Sequence, residues 1–155
     1  YGGPLSYVFD EKITALNEMK RVLKPGGLLL FSVMNLWGTA HEYLFKIMLA
    51  TTPEENEKVL STGNLHPSSF TASDHYCHMF RLEELKGDLR QVGFEIRTLS
   101  ASNCLSVSRA SELEELKKDE TQWAYFLDME IRACQSAGML ESGTHLIAVV
   151  QKPFI

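Results

Sequence analysis

The densest group of side chains able to handle a proton or a ligand near neutral pH is His66, followed by His75, Tyr76, Cys77 and His78. An imidazole titrates in that range, so His75 and His78 are the candidates for a general base or for a group that orients a nucleophile. A structural or surface role for each histidine stands beside that reading. Zinc is the weaker idea. His75, Cys77 and His78 lack a paired Cys-x-x-Cys partner, and adjacent Cys77 and His78 point apart on most backbones, so no metal is assigned. His41-Glu42 opens like a metalloprotease His-Glu-x-x-His, but Phe45 stands where the second histidine is needed. No serine lies in a Gly-x-Ser-x-Gly elbow, which leaves an α/β-hydrolase without its nucleophile. Trp37, Tyr43, His66 and Tyr76 are candidates to line a pocket for a small molecule, with core packing the competing role for Trp37 and Tyr43.

These residues need a scaffold, and the stretch Asp10–Val33 supplies its clearest piece. Ile13, Leu16, Met19 and Leu23 recur at helical spacing, with Glu18, Lys20 and Arg21 opposite. Asp10 is the expected N-cap, and Lys20, Arg21 and Lys24 suit the negative end of the helix dipole. Pro25-Gly26 predicts a type II turn, since proline presets φ and glycine tolerates φ > 0. Leu28–Val33 is then apolar on both faces, as for a strand inside a parallel sheet. Tyr1–Phe9 reads as a loop with no element of its own.

Beyond the strand, Asn35–Gly38 breaks the pattern and a helix is expected from Thr39 to about Ala50. Thr52 and Pro53 predict the start of a short helix. Ser61–Ser73 reads as a surface loop. Leu82, Leu85, Leu89 and Val92 mark an amphipathic helix ended by Gly93. Phe94–Ser100 is a strand with Phe94, Ile96 and Thr98 on one face. Ser111 and Glu114 have capping-box spacing. A longer helix from Glu120 to about Ala137 stops at Gly138, and His145–Gln151 is a closing strand.

The totals narrow the class. At 155 residues, 45% apolar and 23% charged, the chain suits one soluble domain with a modest core. A net charge of −5 argues against a general nucleic-acid binder, which needs a basic face. No apolar run reaches membrane-spanning length. Three scattered cysteines make no disulfide framework and fit reduced thiols in the cytoplasm.

The segment Asn17-Glu18-Met19-Lys20-Arg21-Val22-Leu23-Lys24-Pro25-Gly26-Gly27-Leu28-Leu29-Leu30 resembles the helix, turn and fifth strand of class I S-adenosylmethionine-dependent methyltransferases. Phe80-Arg81-Leu82-Glu83-Glu84-Leu85 with Gln91-Val92-Gly93-Phe94 resembles that family's helix before strand six. His145–Pro153 resembles its closing strand seven, antiparallel to the rest. Nearly the whole chain is covered, most weakly across residues 36–78 and 105–142.

The resemblance implies an α/β fold: the C-terminal half of a Rossmann-like, seven-stranded methyltransferase sheet (strands five to seven). Residues 35–79 form a helical insertion or substrate cap, within a partial domain spanning 1–155. It further implies S-adenosylmethionine as donor, a small-molecule acceptor, and Tyr1, Gly2, Gly3, Pro4 and Leu5 as the loop against the cofactor. The family's glycine-rich loop after strand one and the acidic end of strand two are both absent. The chain is therefore expected to belong to a longer enzyme and to be inactive alone. Its strand 28–33 is expected to pair with a missing N-terminal half or a second copy. A non-catalytic remnant or interaction module with the same half-sheet, and another Rossmann-like enzyme using a nicotinamide cofactor, remain as alternatives.

Overall fold

A computed structural model describes residues 3–68 and 74–154, with only the backbone of Leu44. The chain enters through two short 3-10 turns, Pro4–Tyr7 and Phe9–Glu11, before helix α1 (Lys12–Val22). The first corrects the expectation of an unstructured entry. Pro4 presets its φ, the Ser6 N–H donates to the Gly3 carbonyl at 2.8 Å, and Leu5 is buried in the core. The second shifts the start of α1 past Asp10, so Glu11 occupies the cap position and no side chain caps the helix. The Lys-Pro-Gly-Gly turn forms as anticipated, with Gly26 at φ 74° and the Gly27 N–H donating to Lys24 O at 2.8 Å.

Strand β1 (Leu28–Met34) leads into α2 (Leu36–Ala50) and α3 (Pro53–Thr62). A two-residue pairing then joins β2 (Asn64–Leu65) to β3 (Cys77–His78), within a region partly expected as loop. After α4 (Leu82–Val92) come β4 (Glu95–Ala101), α5 (Ala110–Leu116), α6 (Glu120–Gln135) and β5 (His145–Gln151). The three proposed long strands lie in one sheet of order β1-β5-β4. Strand β5 is antiparallel to both neighbours, in register from Leu28↔Gln151 to Met34↔His145 on one side. Among the described residues β1 has no other strand neighbour, and its Leu28 and Leu30 are 60% and 66% exposed. The fully apolar strand is thus half-covered here.

Helices α1 and α4 pack together on the sheet. Leu16, Leu85 and Leu89 meet Phe31, Val33, Leu146, Ala148 and Val150 in one core. A bulge between Ile96 and Thr98 breaks the strict alternation of β4. It turns Thr98 outward beside Arg97 and returns Leu99 to the core, so Thr98 does not share the face of Phe94 and Ile96. Helix α3 carries the anticipated Thr52 cap and Pro53, with Glu55 completing a capping box. Gly93 ends α4 in the left-handed conformation. The Ser111–Glu114 capping box does not form: α5 starts a residue earlier, and Ser111 Oγ instead donates to Glu112. Asp119 caps α6, which ends at Gln135, and Gly138 lies in the separate 3-10 turn Ala137–Met139. No helix among the described residues is long and apolar enough to cross a membrane.

Gly38 was expected to break the chain but sits inside the first turns of α2. Its backbone lies so close to the next layer that an added Cβ would fall 1.7 Å from the Gly143 carbonyl oxygen. Gly87, in the middle of α4, has nothing within 4 Å of the same position. Gly38→Ala is therefore expected to cost about 2–3 kcal/mol by overpacking. Gly87→Ala should be neutral or stabilise by up to about 1 kcal/mol through lower helix-forming cost. Urea denaturation of the two variants against the parent checks both signs.

Candidate functional site

The entry turn lies across the carboxyl end of β1. Ser6 Oγ accepts the Met34 backbone N–H at 2.9 Å, and Gly3 adopts φ 67° beside Val33 and Met34. Of the residues assigned to a cofactor loop, Tyr1 and Gly2 lie outside the described residues. Gly3 and Pro4 present backbone and a ring at the turn. Leu5, only 1% exposed, anchors the turn in the core and does not face outward.

Tyr7 extends this turn toward the residues after β2. Its hydroxyl lies 3.5 Å from His75 Nε2 and 4.0 Å from Met34 Sδ. The Tyr7 ring meets the His75 and Tyr76 rings edge-on, at centroid separations of 5.7 and 6.4 Å. Phe9 stacks on Tyr76 at 5.9 Å, and the His66 ring stands 6.4 Å from Tyr76. Phe9 holds φ 44°, a costly conformation for an aromatic residue that aims its ring at this group. Tyr7 and Phe9 thus join His66, His75 and Tyr76, which the sequence had already singled out.

Met34 and His75 also line a cavity of about 730 Å³ between the end of β1, α2 and α3. Its walls are mostly apolar, with Tyr43, Ile47, Val59, Leu60 and Met79 prominent, and its polar groups are Thr39, Lys46, Asn56 and His75. A large apolar cleft with few polar groups is the usual form of a small-molecule site. Tyr43 lines it. Trp37 does not; its half-exposed ring lies under the Arg81 guanidinium at 5.8 Å. Thr39, Lys46 and Asn56 were missed. The signal was available: Thr39, Tyr43 and Lys46 follow the i, i+4, i+7 spacing of one helix face.

His78 takes a different path from His75. It is buried and absent from the cavity wall. Its Nδ1 lies 2.7 Å from Asn64 Oδ1, and its Nε2 lies 2.7 Å from Glu84 Oε1. The Phe80 ring packs edge-on at 4.6 Å. Lys12 also reaches Glu84, and Asp88 at 3.0 Å. Burial alone would raise the Glu84 pKa, but hydrogen bonds from His78 and Lys12 overcome it and hold the carboxyl at about 2. Lys12 is opposed by burial, yet its bonds to Glu84 and Asp88 raise its pKa. This network joins β3 to α1 and α4. Burial pushes the Cys77 thiol up to about 11, which withholds the thiolate that nucleophilic or metal chemistry requires. Among the described residues no group of three or more His, Cys, Asp or Glu is placed to hold a metal ion.

This α/β arrangement has the fold of S-adenosylmethionine-dependent methyltransferases. The chain superposes on such a methyltransferase from Mesorhizobium loti with a TM-score of 0.52 at 14% sequence identity. That match covers 97% of this chain and 58% of the other. A structure from Listeria monocytogenes, named as a provisional member of the same class, gives a TM-score of 0.48 at 16% identity, covering 97% and 59%. The chain thus spans less than two thirds of the length of either structure. No family model matches the sequence, and no curated protein matches it.

The Glu84 network sets a pH dependence. A carboxyl held lower in the folded than in the unfolded chain adds stability that is fully present above about pH 4.5 and lost as pH falls toward about 2. Glu84→Gln should therefore destabilise at pH 6, with the gap from the parent narrowing at pH 3. Urea titrations at the two pH values measure it; a gap that stays constant would contradict the ionic role.

Proposed function

We propose that this chain forms the acceptor-binding and sheet-closing portion, strands five to seven, of an S-adenosylmethionine-dependent methyltransferase acting on a small molecule. In this reading it works as part of a longer enzyme and is inactive alone. The observation that carries the reading is the apolar cavity at the carboxyl end of β1, lined there by Met34, whose backbone N–H the turn Gly3–Tyr7 holds through Ser6. Ligands of open α/β sheets bind at that end of the strands.

Methyl transfer asks chiefly for alignment and exclusion of water. The cavity wall and the insertion formed by α2 and α3 suit both. The residues at the turn also fit a neutral, close-lying ligand edge: Gly3 and Pro4 offer backbone, Tyr7 an aromatic face, and none of them is charged. They fit the methionine side of S-adenosylmethionine, whereas no grip for the adenosine is found among the described residues. When bound, that cofactor supplies an electrophilic methyl group. His75, which touches both the cavity and the Tyr7 hydroxyl, is the group to accept or steer a proton of the acceptor. Tyr43 lines the acceptor space, with His66 and Tyr76 bracing Tyr7 and Phe9 at its edge.

The open side of β1 belongs to the same reading. The backbone edge of β1 awaits a strand from the rest of the longer polypeptide, or from a second copy, while Leu28 and Leu30 lie on the uncovered face of the sheet. Hydrogen exchange on the full-length protein tests this, with slow exchange expected at every amide of Leu28–Val33. Rapid exchange at alternate amides would show a bare edge. Calorimetry of the full-length protein tests the chemistry. One equivalent of S-adenosylhomocysteine should bind and a nicotinamide dinucleotide should not. No heat with the first, or binding only of the second, overturns the methyltransferase reading in favour of a non-catalytic module or a nicotinamide enzyme respectively.

A further inference from the structure

We propose that the cavity takes an amphiphilic small molecule with an apolar body and an anionic head, and that Lys46 holds the head. The identity of this molecule as the methyl acceptor rests on the function proposed above; its binding does not. Lys46 is the one lysine or arginine among the lining residues, and none of them is a carboxylate. It forms no ion pair with a described residue. The neighbour placed to neutralise it is Glu42, one turn earlier on α2. A Glu-to-Lys pair four residues apart normally closes on a helix surface. Here the Glu42 carboxylate instead accepts the Ser108 hydroxyl at 2.9 Å, across to the segment before α5. In a chain with 20 acidic and 15 basic side chains, a cation left facing an apolar cavity is set apart from its surroundings.

Thr39 stands at the inner end of the same wall. Thr39 Oγ1 is buried and has no hydrogen-bond partner among the described residues. An oxygen enclosed to that degree is out of reach of a molecule in the cavity, so Thr39 offers it no hydrogen-bonding group. Thr39 lies in the first turns of α2, beside the end of β1, and Lys46 lies seven residues on, about 10 Å along the helix axis. Tyr43, Ile47, Val59, Leu60 and Met79 line the space with them. The cavity therefore presents apolar walls and a cation at its outer end. A molecule matching it carries an apolar body inside and a carboxylate-type anion outside.

The probe is cis-parinaric acid, a fluorescent long-chain carboxylate, titrated into the full-length protein alongside its uncharged methyl ester. Saturable binding of the acid is expected, about tenfold tighter than the ester. Lys46→Gln should bring the acid down to the affinity of the ester and leave the ester unchanged, while Lys46→Arg keeps the preference. Lys46 is exposed, so these variants leave the core intact. Ala40→Trp, which fills the cavity, should remove binding of both. Equal binding of acid and ester, an acid preference that survives Lys46→Gln, or no binding of either overturns the inference. Protein that sediments with phosphatidylcholine vesicles instead of binding the monomeric acid also overturns it, and assigns the exposed Phe45, Met48 and Leu49 of α2 to a membrane surface. Binding of S-adenosylhomocysteine without binding of the acid defeats this inference alone. Binding of the acid without S-adenosylhomocysteine defeats the methyltransferase reading alone.

Discussion

The contact on which the rest depends is a backbone junction where β1 ends and β5 is about to begin. Gly38 lies against the Gly143 carbonyl, and Gly143 in turn lies so close to Asn103 that a Cβ there would fall 2.1 Å from the Asn103 carbonyl oxygen. Asn35, fully buried, donates its side-chain amide to Gly143 O at 2.7 Å and its backbone N–H to Thr144 O at 2.9 Å. On the other side, Phe80 N–H donates to Met34 O and Leu36 N–H to Phe80 O. Four segments distant in sequence are thereby locked at one point by groups too small or too tightly bonded to slide. Helix α2 leaves from this point, so its direction, and with it the cavity beneath it, follows from the junction.

Much of the scaffold was legible because its signals are local. Proline and glycine at the Lys24–Gly27 turn, the leucine spacing of α4 with Gly93 behind it, and the Thr52 cap each act within a few residues, and each forms as read. The departures have tertiary causes. Gly38 resembles a breaker until the carbonyl of Gly143, more than a hundred residues away, explains why only glycine fits inside a helix there. Thr98 faces water because a bulge, dictated by pairing with β5, inserts one residue into β4. Ser111 fails as a cap because the helix starts before it.

The site shows the same division. The cluster of histidines and tyrosine was visible as composition, but its members separate in space. His75 reaches the cavity and Tyr7, whereas His78, three residues along an extended segment, is drawn inward to Glu84 and Asn64. Nothing in the local sequence distinguishes them; the partners lie on α4 and β2. Leu5 likewise looked like part of a ligand loop and proves to be its anchor in the core. A lone tyrosine in a short turn such as Tyr7 carries no pattern in the sequence. Its neighbours at His75, Tyr76 and Met34 give it significance.

The placement of β5 bears on how the molecule assembles. This strand, last among the long strands described, occupies the middle of the sheet, and among the described residues β1 and β4 are joined only through it. On a ribosome, β1 and β4 emerge with no mutual pairing available, and the helices between them gather around an unfinished layer. The sheet then forms late, by insertion of a strand from more than a hundred residues beyond β1, the long-range kind of closure that folds slowly. During that interval the border of β1 that β5 later covers is unpaired, which makes this stage the most vulnerable to self-association.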